Sequence, residues 1–412
     1  MKFNPIRGTH DLFGEELQKF NLIQSEVHSL AKKFNFDEIQ TPIFEKTELF
    51  QKPLGEQSDV VLKEMYTFSD RNDDLVTLRP EYTTPMIRAA ISNNLLVKLP
   101  CKLFGIGPMF RRERPQKGRY RQFNQINFEN LGCNDSFSDV ELILIANNLL
   151  NNLIPEKDFK LHINSLGNHK TLQTYKKGLI TYFNKHKNNL SKESIAKIKT
   201  NPLRILDSKN KIDKDIVAKA PLIYDFFSNE DLKIYEEVKK LLNNFNIKYV
   251  EDTSLVRGLD YYCNTVFEFK TQLLGSQDTL IGGGRYDGLV KVLGGNDIPG
   301  VGWAAGIERI SMLMKLKKNT NNVIHFAIQN ENFKVHALKA YKYLIDNNFS
   351  VYWNYKFNLK KSLSKSNENN ASYIIIVGEE EYRLKKYTLK NLKDGNQLIL
   401  NFSELLNKIK NG

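Results

Sequence analysis

The sequence predicts an α+β fold: a mixed, largely antiparallel sheet flanked by helices and interrupted by a helical insertion, followed by a small, separate α/β domain. Three observations predict it. Strand candidates in the first part of the chain are interleaved with helices at irregular spacing, without the regular strand-helix alternation of a parallel sheet. Residues 168–250 are rich in Lys, Asn, Leu and Ile with helical periodicity and few strand signals. Beyond the polar segment KKNTNN, residues 317–322, strand-helix alternation resumes and continues to residue 412.

Leu17, Phe20, Ile23, Val27, Leu30 and Phe34 recur at spacings of three and four, so the first long element is an amphipathic helix. The strand Phe36 to Ile39 follows and runs into Thr41-Pro42, where proline favours a strand end or a sheet edge. Further strands are expected at Leu75 to Leu78, Lys102 to Ile106, Gln122 to Glu129, Thr265 to Phe269 and Thr279 to Ile281. A helix ending near Lys318 closes this region, giving an expected first domain over residues 1–320. The second, 322–412, is expected to hold a strand at Val323 to Ile328, a helix at Phe333 to Asp346, and strands at Ser350 to Trp353, Tyr373 to Val377 and Leu398 to Asn401. A helix from Ser403 ends it.

With 41% hydrophobic residues the chain can bury two or three cores, and no run approaches the ~20 apolar residues of a membrane span. No basic segment followed by an apolar stretch opens the chain, so a cytoplasmic location is expected. Cys101, Cys133 and Cys263 are odd in number and widely spaced, which predicts reduced, structural thiols. The seven histidines, among them His10, His28 and His325, show no metal-ligand spacing. A net charge of +13 suits a polyanionic partner, although a general bias toward Lys and Asn would produce the same number.

The most informative stretch is GPMFRRERPQKGRYRQFNQINFENLG, residues 107–132. Strand residues two apart share a face, so Arg111 with Glu113, and Phe123 with Gln125 and Glu129, are expected to project to common sides. A guanidinium, an aromatic face and carboxylates then converge. That combination fits a nucleotide: guanidinium on phosphate, carboxylate on an adenine amino group, ring on the base. The alternative is a hairpin with a solvated, charged tip.

A resemblance bears on that choice. Phe110 to Glu113 with Arg114 to Phe123 resembles the second signature motif of class II aminoacyl-tRNA synthetases, in the form used by histidyl-tRNA synthetases. Thr77 to Thr83 (TLRPEYT) is similar to that family's amino-acid-binding loop, Leu255 to Tyr262 (LVRGLDYY) to its histidine-specific signature, and Gly306-Ile307-Glu308-Arg309 to the third class II motif. The long helix and the strand ending at Pro42 resemble the dimer-forming first motif. Order and rough spacing agree along the whole chain. Two departures stand out: Tyr82 where many relatives have a small residue, and Asn124 where others often have His.

The resemblance implies histidine-tRNA ligase activity: activation of histidine with ATP and Mg²⁺ to histidyl-adenylate and pyrophosphate, then transfer to the 3′ end of tRNA-His by a homodimer. Residue by residue, it implies that Glu81, Thr83 and Gln125 hold the α-amino group of histidine, with Tyr82 in the same loop. Glu129, Tyr261 and Tyr262 would surround the imidazole, with Tyr286 lining that pocket. Two ring nitrogens at opposite edges need paired polar groups, and such a site rejects analogues that leave those groups unsatisfied. ATP would meet Arg111, Glu113, Phe123, Arg257 and Arg309, with Arg111 and Arg257 catalytic. Anionic nucleophile and triphosphate both need cationic neighbours. Mg²⁺ would bridge the remaining phosphate oxygens. Arg114, Lys117, Arg119 and Arg121 would approach the tRNA acceptor end, and residues 322–412 would bind the anticodon.

The glycine run Gly282 to Gly288 (GGGRYDG) lacks the strand-to-helix context of a dinucleotide-binding turn, and no Walker-type GK[ST] occurs. The resemblance implies a tight strand-edge turn that substrate approaches; a purely conformational role for the glycines is the alternative. Two rival functions differ in kind. A non-catalytic relative, such as the synthetase-like regulatory subunit of ATP phosphoribosyltransferase, tends to lose phosphate-binding arginines and the last domain, whereas Arg111, Arg257, Arg309 and a full C-terminal region are present here. A class II synthetase for another amino acid is disfavoured by the Tyr261-Tyr262 pair.

Overall fold

A computed structural model of the chain describes residues 3–55, 60–206, 208, 210–257, 259, 261–275, 278–316 and 323–410. The predicted linker 317–322, and Gly258 and Asp260 of the LVRGLDYY segment, lie outside the described residues. The chain divides into two compact units, Met1–Lys315 and Leu316–Gly412.

In the first unit the apolar stripe forms the helix Gly14–Phe34, burying Ile23, Val27, Leu30 and Ala31 on one face while Leu17 stays exposed. Asn35 ends it in the left-handed region (φ 57°), its N–H donating to Ala31 O. The strand expected at Phe36 to Ile39 is shorter, Asp37–Glu38, because it pairs on one side only, with Leu103 and Phe104.

The central sheet has eight strands in the order Asp37–Glu38, Cys101–Phe110, Gln122–Leu131, Gly300–Gly306, Thr279–Arg285, Cys263–Lys270, Lys160–Ser165, Tyr249–Glu251. Its six inner strands pair antiparallel, and each edge strand joins in parallel. The strands Gly300–Gly306, Lys160–Ser165 and Tyr249–Glu251 had no counterpart in the sequence reading. The first is a run of small residues around Trp303, whose missing side chains are filled by neighbours, so periodicity does not mark it.

Between Lys160–Ser165 and its parallel neighbour Tyr249–Glu251 the chain runs through helices, the longest being His169–Lys185 and Asn229–Asn244. A parallel pair cannot be joined by a tight turn, which gives this crossover room to carry helices of its own. Asn168 and Ser228 cap the two long helices, each side-chain oxygen accepting backbone N–H groups of the first turn. The helix expected to end near Lys318 ends earlier: Ile307–Leu313 stops before Met314, which is extended.

The second unit is a five-stranded sheet in the order Val351–Trp353, Ile324–Ile328, Tyr373–Val377, Tyr387–Asn391, Gln397–Leu400. The first three are parallel and joined through the helices Lys334–Asp346 and Leu359–Glu368; the last two are antiparallel. Ile324, Phe326 and Ile328 share one strand face with a core that includes Ala337, Leu344, Ile375, Val377 and Leu405. Among the described residues no helix is long and apolar enough to cross a membrane.

Candidate functional site

The long hairpin Cys101–Phe110 and Gln122–Leu131 forms one wall of a cleft, with Met109 opposite Phe123 and Gly107 opposite Gln125. The turn into the helix Thr83–Ser92, the glycine-rich strand Thr279–Arg285 and the start of the helix Ile307–Leu313 supply the others. The cavity they enclose is about 890 Å³, open mouth included. Glu81, Thr83, Arg111, Glu113, Arg119, Phe123, Gln125, Arg257, Tyr261, Tyr262 and Arg309 all reach its wall. Segments separated by more than two hundred residues thus converge on one space.

At one end the groups suit a nucleotide. The Arg111 guanidinium carbon lies 5.3 Å from the centre of the Phe123 ring, and its Nε donates to Pro80 O at 2.8 Å. Arg111 Nη1 stands 3.9 Å from Glu113 Oε1, while the other carboxylate oxygen pairs with Arg119. Arg309 is fixed by donating Nε to Gly118 O (2.9 Å) and Nη1 to Thr279 O (2.8 Å). Burial, then Arg111 and Arg119 nearby, hold its pKa below the ordinary arginine value, so an anion entering here relieves crowded positive charge. Arg257 comes at the end of the irregular stretch 255–257, pairs with Glu268, and sits 5.5 Å from the Tyr262 ring centre. Burial opposes its charge, yet Glu268 beside it raises its pKa overall.

At the other end the groups suit an amino acid. Glu81 accepts from Thr83 N (2.8 Å), Thr84 N (2.9 Å) and the Thr84 hydroxyl, which fastens the carboxylate to the helix N-terminus. Burial still pushes its pKa up. Gln125 lines the cavity, and its Oε1 is buried with no hydrogen-bond partner among the described residues.

Glu129 and Tyr286 do not reach the cavity wall, although Thr83, Tyr261 and Tyr262 beside them do. Glu129 is wholly buried, accepting from Thr83 Oγ1 (2.7 Å), Asn127 Nδ2 (3.3 Å) and the Tyr286 hydroxyl. Desolvation pushes its pKa to about 8, against these donors, which lower it. Gly302 stands opposite Glu129 in the sheet, and a Cβ there would overlap the carboxylate. The three tyrosine rings pack together: Tyr261 is 4.6 Å from Tyr262 and 5.7 Å from Tyr286.

Several expectations need correction. Tyr82 is not at the cavity; its hydroxyl donates to Ile39 O at 3.3 Å, and Arg79 covers its ring. Gly105 leaves the space that ring fills, a Cβ there lying 2.6 Å from Tyr82, so the larger residue is accommodated by a glycine across the fold. The run Gly282 to Gly284 is not a turn but strand interior, because Gly282 makes room for Arg257 and Gly283 for the Gly302–Trp303 backbone. Arg285 of the same run forms a buried pair with Asp139. Arg119 lies in the cavity wall, and Arg121 is tied to the fold by donating Nε to Glu113 O (3.3 Å); Arg114 and Lys117 are exposed. Sequence reasoning gave no role to Glu308, whose Oε1 accepts from Asn124 N (2.8 Å) and Nδ2 (3.0 Å), nor to Glu268. Asn124, the second departure, thereby ties the hairpin to the helix bearing Arg309.

Comparison with known proteins follows from this geometry. A family profile described as "Histidyl-tRNA synthetase" matches residues 8–310, and one described as "Anticodon binding domain" matches residues 317–412. The chain is 44% identical to the "Histidine--tRNA ligase" of Ehrlichia canis over 412 residues, covering 100% of this chain and 98% of that protein. It is 40% identical to that of Rickettsia bellii, covering 99% of each. The crystal structure of apo S. aureus histidyl-tRNA synthetase superposes with a TM-score of 0.82 at 30% identity, covering 99% of this chain and 100% of that one. A protein from Bacillus halodurans titled ATP phosphoribosyltransferase regulatory subunit/histidyl-tRNA synthetase shares the fold, with a TM-score of 0.63 at 19% identity over 91% of this chain and 98% of that one.

Proposed function

The chain belongs to the histidyl-tRNA synthetase family, and from that premise we propose how its cleft performs the family's reaction. It is a histidine-tRNA ligase: it activates histidine with ATP to histidyl-adenylate and pyrophosphate, then transfers histidine to the 3′ end of tRNA-His. The observation that carries the assignment of roles is the convergence of Arg111, Arg257 and Arg309 on one cavity beside Phe123. Three guanidiniums beside an aromatic platform match a triphosphate and a base.

On this reading Phe123 and Glu113 take adenine, Arg309 the γ-phosphate, and Arg111 and Arg257 the α-phosphate. The histidine carboxylate attacks that phosphorus in line, and pyrophosphate leaves. Mg²⁺ would enter with ATP and would neutralise part of the triphosphate charge; among the described residues no group of three His, Cys, Asp or Glu is placed to hold a metal ion. Glu81, Thr83 and Gln125 take the α-amino group. Glu129 takes the imidazole with Tyr261, Tyr262 and Tyr286, histidine displacing hydroxyls that now satisfy the carboxylate.

We also assign residues 322–412 to the anticodon, the protein to the cytoplasm where ATP and tRNA meet, and its working form to a homodimer. Exposed Phe3, Ile6, Phe13 and Phe44 supply apolar surface for a dimer. The test combines two assays. Histidine-dependent exchange of labelled pyrophosphate into ATP is expected in the full chain and after deletion of 322–412. Charging of tRNA-His is expected to fall about tenfold or more in kcat/KM on deletion, as phosphate contacts are lost. Unchanged charging would remove the anticodon role; exchange with another amino acid would remove histidine as the substrate.

The motif loop gives a finer expectation. Lys117, exposed at its tip, is free to meet acceptor-stem phosphate, so Lys117→Glu should lower aminoacylation about three- to tenfold and leave exchange near normal. Arg119→Glu should reduce both, because Arg119 pairs with Glu113 in the cavity wall. Equal losses in both assays at Lys117 would assign the tip to ATP.

A further inference from the structure

We infer that Glu268 is a positioning residue for Arg257 and that, with Gly282 and Thr279, it fixes which edge of that guanidinium faces the nucleotide; this rests on the role proposed above for Arg257. The arrangement follows from sheet register. Glu268 and Gly282 are direct partners on the antiparallel strands Cys263–Lys270 and Thr279–Arg285. A Cβ at Gly282 would lie 2.6 Å from both Nη1 and Nη2 of Arg257, so the guanidinium occupies the space a side chain would need. Arg257 itself is carried by a segment with no regular secondary structure, and a flexible side chain on such backbone takes its orientation from its partners.

Those partners are specific. One oxygen of Glu268 accepts from Arg257 Nη1. The other accepts from Thr279 Oγ1 at 3.1 Å and lies 3.6 Å from Lys270 Nζ. Arg257 lines the cavity, and the Tyr262 side chain joins Glu268 in hydrogen bonding its guanidinium, while Nε is buried with no partner among the described residues. A guanidinium is planar with donors in a fixed fork, so holding one nitrogen determines where the remaining N–H groups point. With Nη1 committed to Glu268, an incoming phosphate oxygen is met by the donors that remain.

A carboxylate so close would cancel the charge the reaction needs if it served Arg257 alone. It does not. Lys270 also reaches Asp252 (3.2 Å), which pairs with His162 (3.1 Å) and accepts from Ser254 Oγ (2.6 Å). Negative and positive groups alternate along Asp252, Lys270, Glu268 and Arg257, and Glu268 is shared between two cations. These side chains are 12–22% exposed, so solvent screens them less than surface pairs.

The test is single-turnover adenylation in the full-length protein at saturating ATP and histidine. Glu268→Met, of similar volume but without an acceptor, should slow the step about tenfold with histidine affinity within about twofold. Glu268→Gln, which keeps an acceptor, should recover most of that loss. Arg257→Ala/Glu268→Met should be no slower than Arg257→Ala within about threefold, since the carboxylate acts only through the arginine. Free guanidinium added to Arg257→Ala should restore part of the rate, and fail to do so when Glu268→Met is also present. Should Glu268→Met fold poorly, Thr279→Val removes only the hydroxyl that holds Glu268 and should give the same pattern more weakly. A normal rate in Glu268→Met, or losses that multiply in the double variant, would overturn the inference while Arg257→Ala stays slow. A normal rate in Arg257→Ala would instead overturn the role of the arginine.

Discussion

Arg257→Ala is expected to cut the single-turnover rate of histidyl-adenylate formation about 10²- to 10³-fold, the usual scale for removing one preorganised electrostatic donor. The charge developing on the α-phosphate exists in the transition state, so the loss should fall on the rate constant and leave histidine affinity nearly unchanged. The pairing with Glu268 offers a competing account, in which the arginine merely neutralises a carboxylate in the sheet. The two accounts separate cleanly. A purely structural arginine would, when removed, lower thermal stability and leave the rate at saturation intact. A near-normal rate would therefore reassign Arg257 to the fold.

Glu129→Gln is expected to raise the histidine dissociation constant about 10- to 100-fold and to leave ATP affinity nearly unchanged. The scale is that of leaving a buried polar partner of the imidazole unsatisfied. Discrimination against isosteric histidine analogues should fall with it, since the amide offers one acceptor oxygen where the carboxyl group can offer two. The same substitution carries a pH signature. Glu129 has an ordinary carboxyl pKa of 4.5 in the unfolded chain and about 8 when folded, so between those values the folded state holds a proton that the unfolded state does not. Its contribution to stability is fully present below about pH 4.5 and is lost as pH rises toward 8. Glutamine does not titrate. Thermal melts from about pH 5 to about pH 8 should therefore show Glu129→Gln gaining on the unsubstituted protein as pH rises. Parallel melting curves would show that the carboxyl is not held protonated in the fold. Unchanged histidine affinity would remove it from the imidazole site.

Period and spacing carried much of the fold. The stripe Ile23, Val27, Leu30 marked the first helix, and the alternation after Gln122 marked the long strand whose Phe123 and Gln125 line one wall. In the second unit the strands Ile324–Ile328 and Tyr373–Val377 were equally plain, because both are largely buried, whereas Tyr387–Asn391 went unread. Gly300–Gly306 escaped notice because small residues have no face to count. The site was legible as motifs, residue types in an order, and the motifs led to most of the cavity wall.

What the sequence determined by itself was most of the chemical groups the cleft contains: arginines, an aromatic platform, a glutamate at a helix start and a tyrosine pair, all written as short local strings. Tertiary structure alone decided how those groups are held and which of them face the cavity. Tyr82 turns away because Arg79 and Gly105 accommodate its ring elsewhere, and Glu129 lies beneath the wall because Gly302 leaves a hollow across the sheet. Glu268 meets Arg257, and Asn124 meets Glu308, through partners on other elements that no local pattern announces. The physical reason is range. Helix and strand periodicity arise from neighbours a few residues apart, whereas a buried charge is satisfied by whatever the sheet register brings opposite it.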